Sequence, residues 1–316
     1  MVQPALILPP GPDTRWQLAR QMGVEQAVIH PLEIGNGKSD WDYNELLHLS
    51  NWLQEVDLEL SVIEGSIPLT DRIRLGKPGR DEDIDRFKRF LRDCGSVGIP
   101  VVCYDWMAKV RWARTGAHIE SRGESLVTGY NDAKMTGNGT DETVTRDQLW
   151  EAIEYFLEEV TPVAEEAGVK LALHPDDPPI ESVQGVPRIV NSPEAYERVL
   201  DAYDSPHNGI TFCQGNFAAM GVDVPATIRH FGDRINFIHF RDVRGEADNF
   251  VETWHDDGPT DMLEAMRAYQ EAVDEDVPLR PDHVPTMAGE DNSNPGYHTN
   301  GRLFAIGYIK GLLEQA

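Results

Sequence analysis

Four residues able to bind a divalent cation stand at the ends of four short apolar runs in the second half of the 316-residue chain. They are His174 in LALHPDD, Cys213 in ITFCQG, His239 in FIHFRD and Asp282 in RPDH. Thiolate and imidazole donors favour Zn, Fe or Co, and a carboxylate with open positions also admits Mn, whereas Mg or Ca alone would be surprising on this set. Any one of the four is more simply a core or rim residue. Their separations of 39, 26 and 43 residues are what single them out, because these are the lengths of strand-plus-helix repeats. Ligands so far apart in sequence converge when successive strands of a parallel barrel collect their chemistry at one end.

Two further residues can move protons. His283 follows Asp282 directly, where an imidazole at a strand end can lean over a pocket as an acid or base near neutral pH, and Tyr297 in NPGYHTNGR offers a phenol just before the last helical segment. Arg188, Arg241, Asp242, Glu252, His255 and Arg280 cluster in sequence around the same motifs and fit the polar wall of a sugar-acid pocket. Surface solvation is the plainer reading of each taken singly.

Positioning these groups requires strands, and eight runs supply them: ALIL from Ala5, AVIH from Ala27, LSVIE from Leu60, PVVCYD from Pro100, KLALH from Lys170, GITFC from Gly209, INFIHF from Ile235 and PLRPD from Pro278. Segments of helical period separate most of them, including DTRWQLARQMG behind a capping Asp13 and a stripe at Ile84, Phe87, Phe90 and Leu91. Further helices are expected over 145–167, 192–202, 225–231, 262–273 and 300–313. Alternating strands and helices imply a parallel sheet, and eight strands close a barrel. The expectation is therefore one (β/α)8 domain over residues 1–316, with a doubly wound open sheet as the alternative. The connection after the fourth strand, near 106–145, is rich in Gly, Asn, Thr and charge, and its length marks a lid or an oligomer contact.

Composition narrows the partners. With 54 Asp plus Glu against 28 Lys plus Arg the formal charge is -26, and only seven of the basic residues are lysine. Nucleic acid is then not an expected partner, and a high-salt interior that screens the self-repulsion is the expected habitat. No apolar run is long enough to span a membrane, and the start of the chain lacks the layout of a signal peptide, so a cytoplasmic location is expected. Cys94, Cys103 and Cys213 are too few and scattered for a disulfide framework.

Together the motifs VVCYDWM with WARTG, LALHPDDPP with GVPRIV, GITFCQGNF, NFIHFRDV, FVETWHDDG and RPDH with PGYH resemble the mannonate dehydratase family, most densely from Val101 to Tyr308. The resemblance implies a xylose-isomerase-like barrel, Mn(II) or else Fe(II), and loss of water from D-mannonate to give 2-dehydro-3-deoxy-D-gluconate. It also implies that His174, Cys213, His239 and Asp282 are the metal ligands and that His283 and Tyr297 are the acid/base pair, in either order. A proton next to a carboxylate is weakly acidic, so its removal needs both a base and positive charge, and loss of the C3 hydroxyl needs an acid. The chain departs from the family pattern at Asp105 to Ala108, at Arg111 and at Val284, positions that bear on substrate more than on reaction type. Dehydration of a different aldonate, or sugar isomerisation or epimerisation on the same barrel, are the alternative activities. Loss of all turnover, leaving a sugar-acid sensor, is a further one.

Overall fold

In a computed structural model the chain is described over residues 1–30, 42–65 and 68–316. Strands β1 (Gln3–Leu8), β2 (Gln26–Ile29), β3 (Glu59–Glu64) and β4 (Val101–Asp105) come first, followed by β5 (Gly116–Glu120) and β6 (Leu126–Asn131). Then come β7 (Lys170–His174), the short pair β8 (Ser182–Val183) and β9 (Val186–Pro187), and β10 (Asn208–Cys213). The last are β11 (Ile235–Phe240), β12 (Val243–Glu246), β13 (Asn249–Glu252) and β14 (Pro278–Pro281). Eight of them close into a barrel in the order β1, β14, β11, β10, β7, β4, β3, β2, every neighbouring pair parallel. These are the eight strands read from the sequence, and the open-sheet alternative is ruled out.

The helices are α1 (Thr14–Gln21), α2 (Tyr43–Gln54), α3 (Asp71–Arg74), α4 (Arg80–Val97) and α5 (Arg146–Ala167). They continue with α6 (Pro193–Ala202), α7 (Gln214–Ala219), α8 (Val224–Phe231), α9 (Met262–Ala272) and α10 (Thr299–Leu313). α4 shows why they form. Asp81, Glu82 and Asp83 occupy its first turn, where negative charge complements the helix dipole, and Ile84, Phe87, Phe90, Leu91 and Cys94 are its buried stripe. α2 was not anticipated, although Asp42 and Glu45 form a reciprocal capping box ahead of buried Leu46, Leu49 and Leu53. Among the described residues no helix is long and apolar enough to cross a membrane.

Strand alternation sorts side chains between two cores. Leu173, Phe212, Ile238 and Leu279 point outward into the large core under the helices. Ala5, Val28, Val62, Val101, Cys103, Ala172 and Phe237 point inward and fill the barrel, mostly with small groups that let eight strands approach one axis. Counting two residues onward from the inward positions reaches Glu64, Asp105, His174 and His239, so the same parity that fills the barrel aims these polar groups at its mouth.

The long connection after β4 is not structureless. Its strands β5 and β6 join the hairpin β12 and β13, which leaves the end of β11, in an antiparallel sheet ordered β12, β13, β6, β5. Tyr130 and Phe250 pack within this cap, their rings 6.1 Å apart.

Candidate active site

At the C-terminal mouth of the barrel, register brings the donors to one level: Cys213 pairs with His239, and His174 with Asp105. Ligand atoms of His174, Cys213 and His239 all lie within 4.8 Å of one another. Asp282 stands beside them, its Oδ2 3.9 Å from the Cys213 sulfur and 3.8 Å from His239 Nδ1. The four residues sequence spacing predicted as neighbours are thus brought together.

Their hydrogen bonding fits a cation. His239 is 1% exposed, yet among the described residues neither ring nitrogen makes a well-formed hydrogen bond, Glu64 Oε1 standing 3.5 Å from Nε2. Buried polar atoms are rarely left so, because the lost solvation is uncompensated. His174 Nδ1 lies 2.7 Å from the Pro175 carbonyl, an interaction that needs the proton on Nδ1 and so leaves the Nε2 lone pair for a ligand. Asp282 is fixed as a carboxylate by Arg280 Nη1 at 2.8 Å and Arg241 Nε at 2.9 Å. Burial opposes its charge, but His283, Arg280, His239 and Arg241 outweigh that and hold its carboxyl well below the usual range.

His283 and Tyr297 meet in the same place, the phenol oxygen 3.3 Å from His283 Nε2 and the ring centres 5.0 Å apart. Burial pushes the His283 imidazole down to about 4, against the pull of Asp282 and Glu252, and burial raises the Tyr297 phenol above its ordinary value. Gly296 makes the contact possible: its φ is +86° and a Cβ there would stand 2.9 Å from His283 Nδ1.

The four residues expected to touch substrate stand elsewhere. Arg188, Arg241, Glu252 and His255 are buried behind the wall rather than lining the cavity. Arg241 bonds Glu252 at 2.8 Å and Asp177 at 3.0 Å while holding Asp282, and Arg114 reaches Glu252 at 2.8 Å. His255 donates from Nε2 to the Phe240 carbonyl at 2.8 Å, and Arg188 donates to the Arg111 carbonyl at 3.3 Å. Long polar side chains after a strand end can turn inward to brace neighbouring groups as readily as outward to a solute, and these four turn inward. Gly215 belongs to this frame, since a Cβ there would strike the Arg241 guanidinium at 2.6 Å.

The cavity above the donors, about 410 Å³, is lined instead by residues the sequence did not mark as substrate-facing, among them Glu64, Asp105, Trp112, Asn294 and Arg302, together with Arg280. Arg280 pairs with Glu64 through two bonds of 2.7 and 2.6 Å. Trp112, carried by the segment after β4, presents its edge to His174 at 6.0 Å. The phase that located Ala172 and His174 would also have located Glu64 and Asp105, two residues on from Val62 and Cys103.

A closed parallel barrel with buried imidazole, thiol and carboxylate groups converging at its strand ends defines a (β/α)8 protein with a candidate metal centre. The sequence pattern of D-mannonate dehydratase (UxuA) matches residues 13–147 and 139–316. The chain belongs to this family. It is 36% identical to the mannonate dehydratase of Thermotoga maritima, over 94% of this chain and 92% of that one, and 34% identical to that of Streptococcus pneumoniae, over 92% and 87%. The crystal structure of mannonate dehydratase from Streptococcus suis serotype 2 superposes with a TM-score of 0.91 at 34% identity, covering 99% of this chain and 93% of that one. A D-psicose 3-epimerase from Clostridium cellulolyticum H10 shares the fold, with a TM-score of 0.60 at 13% identity over 98% and 99% of the two chains.

Proposed function

We propose that this chain is a metal-dependent hydro-lyase that converts D-mannonate to 2-dehydro-3-deoxy-D-gluconate and water. The observation that carries the reading is the contact of His283 with Tyr297 in the same cavity that His174, His239 and Asp282 line, with Cys213 buried beside them. His174, Cys213, His239 and Asp282 would hold Mn(II), or Fe(II) in its place, which when bound supplies the positive charge that a carboxylate needs while the neighbouring C–H bond breaks. One member of the His283 and Tyr297 pair takes the C2 proton and the other protonates the departing C3 hydroxyl. The resulting enol becomes the 2-keto acid by losing its hydroxyl proton and gaining one at C3. Because the two groups touch at 3.3 Å, a proton passing from one to the other restores the starting state.

Arg241 and Arg280 keep Asp282 ionised and aimed, a bracing role that suits a site whose geometry must survive each turnover.

The test is turnover of a panel of C6 and C5 aldonates by purified protein in high salt with added Mn(II), scored for 2-keto-3-deoxy acid. Product from D-mannonate is expected. Product from another aldonate alone would move the substrate assignment, and metal-loaded protein that interconverts sugars without releasing water would overturn the reading in favour of isomerisation.

A further inference from the structure

Charged groups line the cavity in near balance, and the exception is informative. Of its acids, Glu64 is taken by Arg280, Asp282 by Arg280 and Arg241, and Asp105 by Arg111 at 2.6 Å. Of its cations, Arg15 pairs with Asp13 at 2.9 Å. That leaves Arg302, which is 9% exposed and whose one hydrogen bond, from Nη1, runs 3.1 Å to the Ile7 carbonyl. No carboxylate among the described residues lies within ion-pair distance of it. A buried cation without a counter-ion is costly, and this one also sits in the first turn of α10, where the helix dipole disfavours positive charge. Burial and Arg280 push the guanidinium down to about 10, and Asp282 and Tyr297 offset that only in part. It therefore remains protonated at neutral pH in surroundings that do not neutralise it.

We propose that the missing partner is the ligand: Arg302 binds the carboxylate of the sugar acid and makes the cavity select acids over the matching uncharged polyols. The proposal rests on the sugar-acid reading above and adds which residue reads the charge. Tyr297 connects this subsite to the chemistry, its ring lying 5.5 Å from the Arg302 guanidinium and 5.0 Å from the His283 ring. An acid held by Arg302 thus presents its α-carbon on the side of the cavity where the proton-transfer pair stands. Arg302 is a binding residue here, distinct from the buried frame of Arg241 and Arg280, whose charges are already matched within the protein.

The experiment is calorimetric binding of D-mannonate and of D-mannitol to Mn-loaded protein, for the wild type, Arg302→Gln and Arg302→Lys. Glutamine can still donate to the Ile7 carbonyl but carries no charge. Its affinity for D-mannonate is expected to fall about tenfold or more while D-mannitol is unaffected, in keeping with loss of a charge-assisted bond. Lysine should lose a few-fold for D-mannonate, since it keeps the charge without the two-pronged geometry. An unchanged ratio of the two affinities, or equal loss for both ligands, overturns the proposal in favour of a structural pin for α10. If the glutamine variant does not fold, the lysine variant decides by the same ratio. Wild-type protein that prefers D-mannonate over D-mannitol yet forms no dehydration product would sink the proposed reaction and leave Arg302 standing. Dehydration with no preference between the two ligands would do the reverse.

Discussion

The two halves of the barrel do different work. β7, β10 and β11 end in His174, Cys213 and His239, and Asp282 follows β14, candidate donors that are 4% exposed or less, of which His174 is held by a hydrogen bond and Asp282 by two arginines from behind. Among β1 to β4, β3 and β4 end in Glu64 and Asp105, whose carboxylates are matched by neighbouring arginines, and the segment after β4 adds Trp112 at 40% exposure. One half is a fixed constellation and the other a wall that can be recut. The departures from the family pattern at Asp105 and at Arg111, which pairs with it, fall on the β4 side, whereas the one at Val284 stands next to His283. Residues at the ends of β3 and β4 can therefore change without replacing the candidate donors, while Arg280 and Arg302 line the cavity from the donors' own side.

That division makes distinct predictions for the two halves. The largest effect belongs to His283→Asn, which should lower kcat about 10²- to 10⁴-fold while metal content by elemental analysis stays at the wild-type level; near-normal turnover would remove His283 from the chemistry. Next is the brace. Arg241→Leu leaves Glu252, Asp177 and Asp282 with buried charge that has lost a partner, and denaturant titration should show a loss of about 3 to 5 kcal/mol. A change below about 1 kcal/mol would mean that the frame is not braced through Arg241.

Acid should loosen the same region through His255. Its imidazole is buried while donating to the Phe240 carbonyl, and burial pushes it down to about 4 from an ordinary value of 6.5. A folded value below the unfolded one means that its contribution is fully present above pH 6.5 and is lost as the pH falls towards 4. The amount is up to about 3 kcal/mol. His255→Gln should flatten the decline of stability across that window, and an unchanged slope would contradict the assignment. On the wall, Asp105→Asn releases Arg111, and a rise in KM of about two- to fivefold with kcat and metal content preserved is expected. A fall in metal content instead would merge the two halves that the structure separates. Smallest per charge, but spread over the whole surface, is salt: with a net charge of -26 the melting temperature should rise as ionic strength increases, which a thermal melt series would measure.

Much of the fixed half was legible from sequence because two periods reinforce each other there. Strand alternation fixes which side chains face the barrel axis, and repeat length fixes how far apart facing residues fall, so His174, Cys213, His239 and Asp282 announced themselves jointly. All eight barrel strands were legible for the same reason, being short apolar runs bounded by helical segments. β5, β6, β12 and β13 were not, because GAHIE and VRGE carry little apolar alternation and their pairing joins segments more than a hundred residues apart. Arg188, Arg241, Glu252 and His255 were correctly marked as unusual polar groups near the site and wrongly aimed, since sequence alone does not say whether a long side chain faces a cavity or a ligand's back. Arg302 was missed because its significance is a deficit: what marks it is that no carboxylate among the described residues pairs with it, and that shows only once the other arginines and the carboxylates lining the cavity are seen to be paired.

Reconstitution tests whether His174, Cys213, His239 and Asp282 hold the cation on which dehydration depends. Protein stripped by a chelator should form no 2-keto-3-deoxy acid from D-mannonate, and Mn(II) should restore the rate in step with bound metal. Cys213→Ser should require a higher metal concentration for the same occupancy. Stripped protein that turns over at the full rate, or a Cys213→Ser variant with unchanged metal affinity, would contradict that assignment.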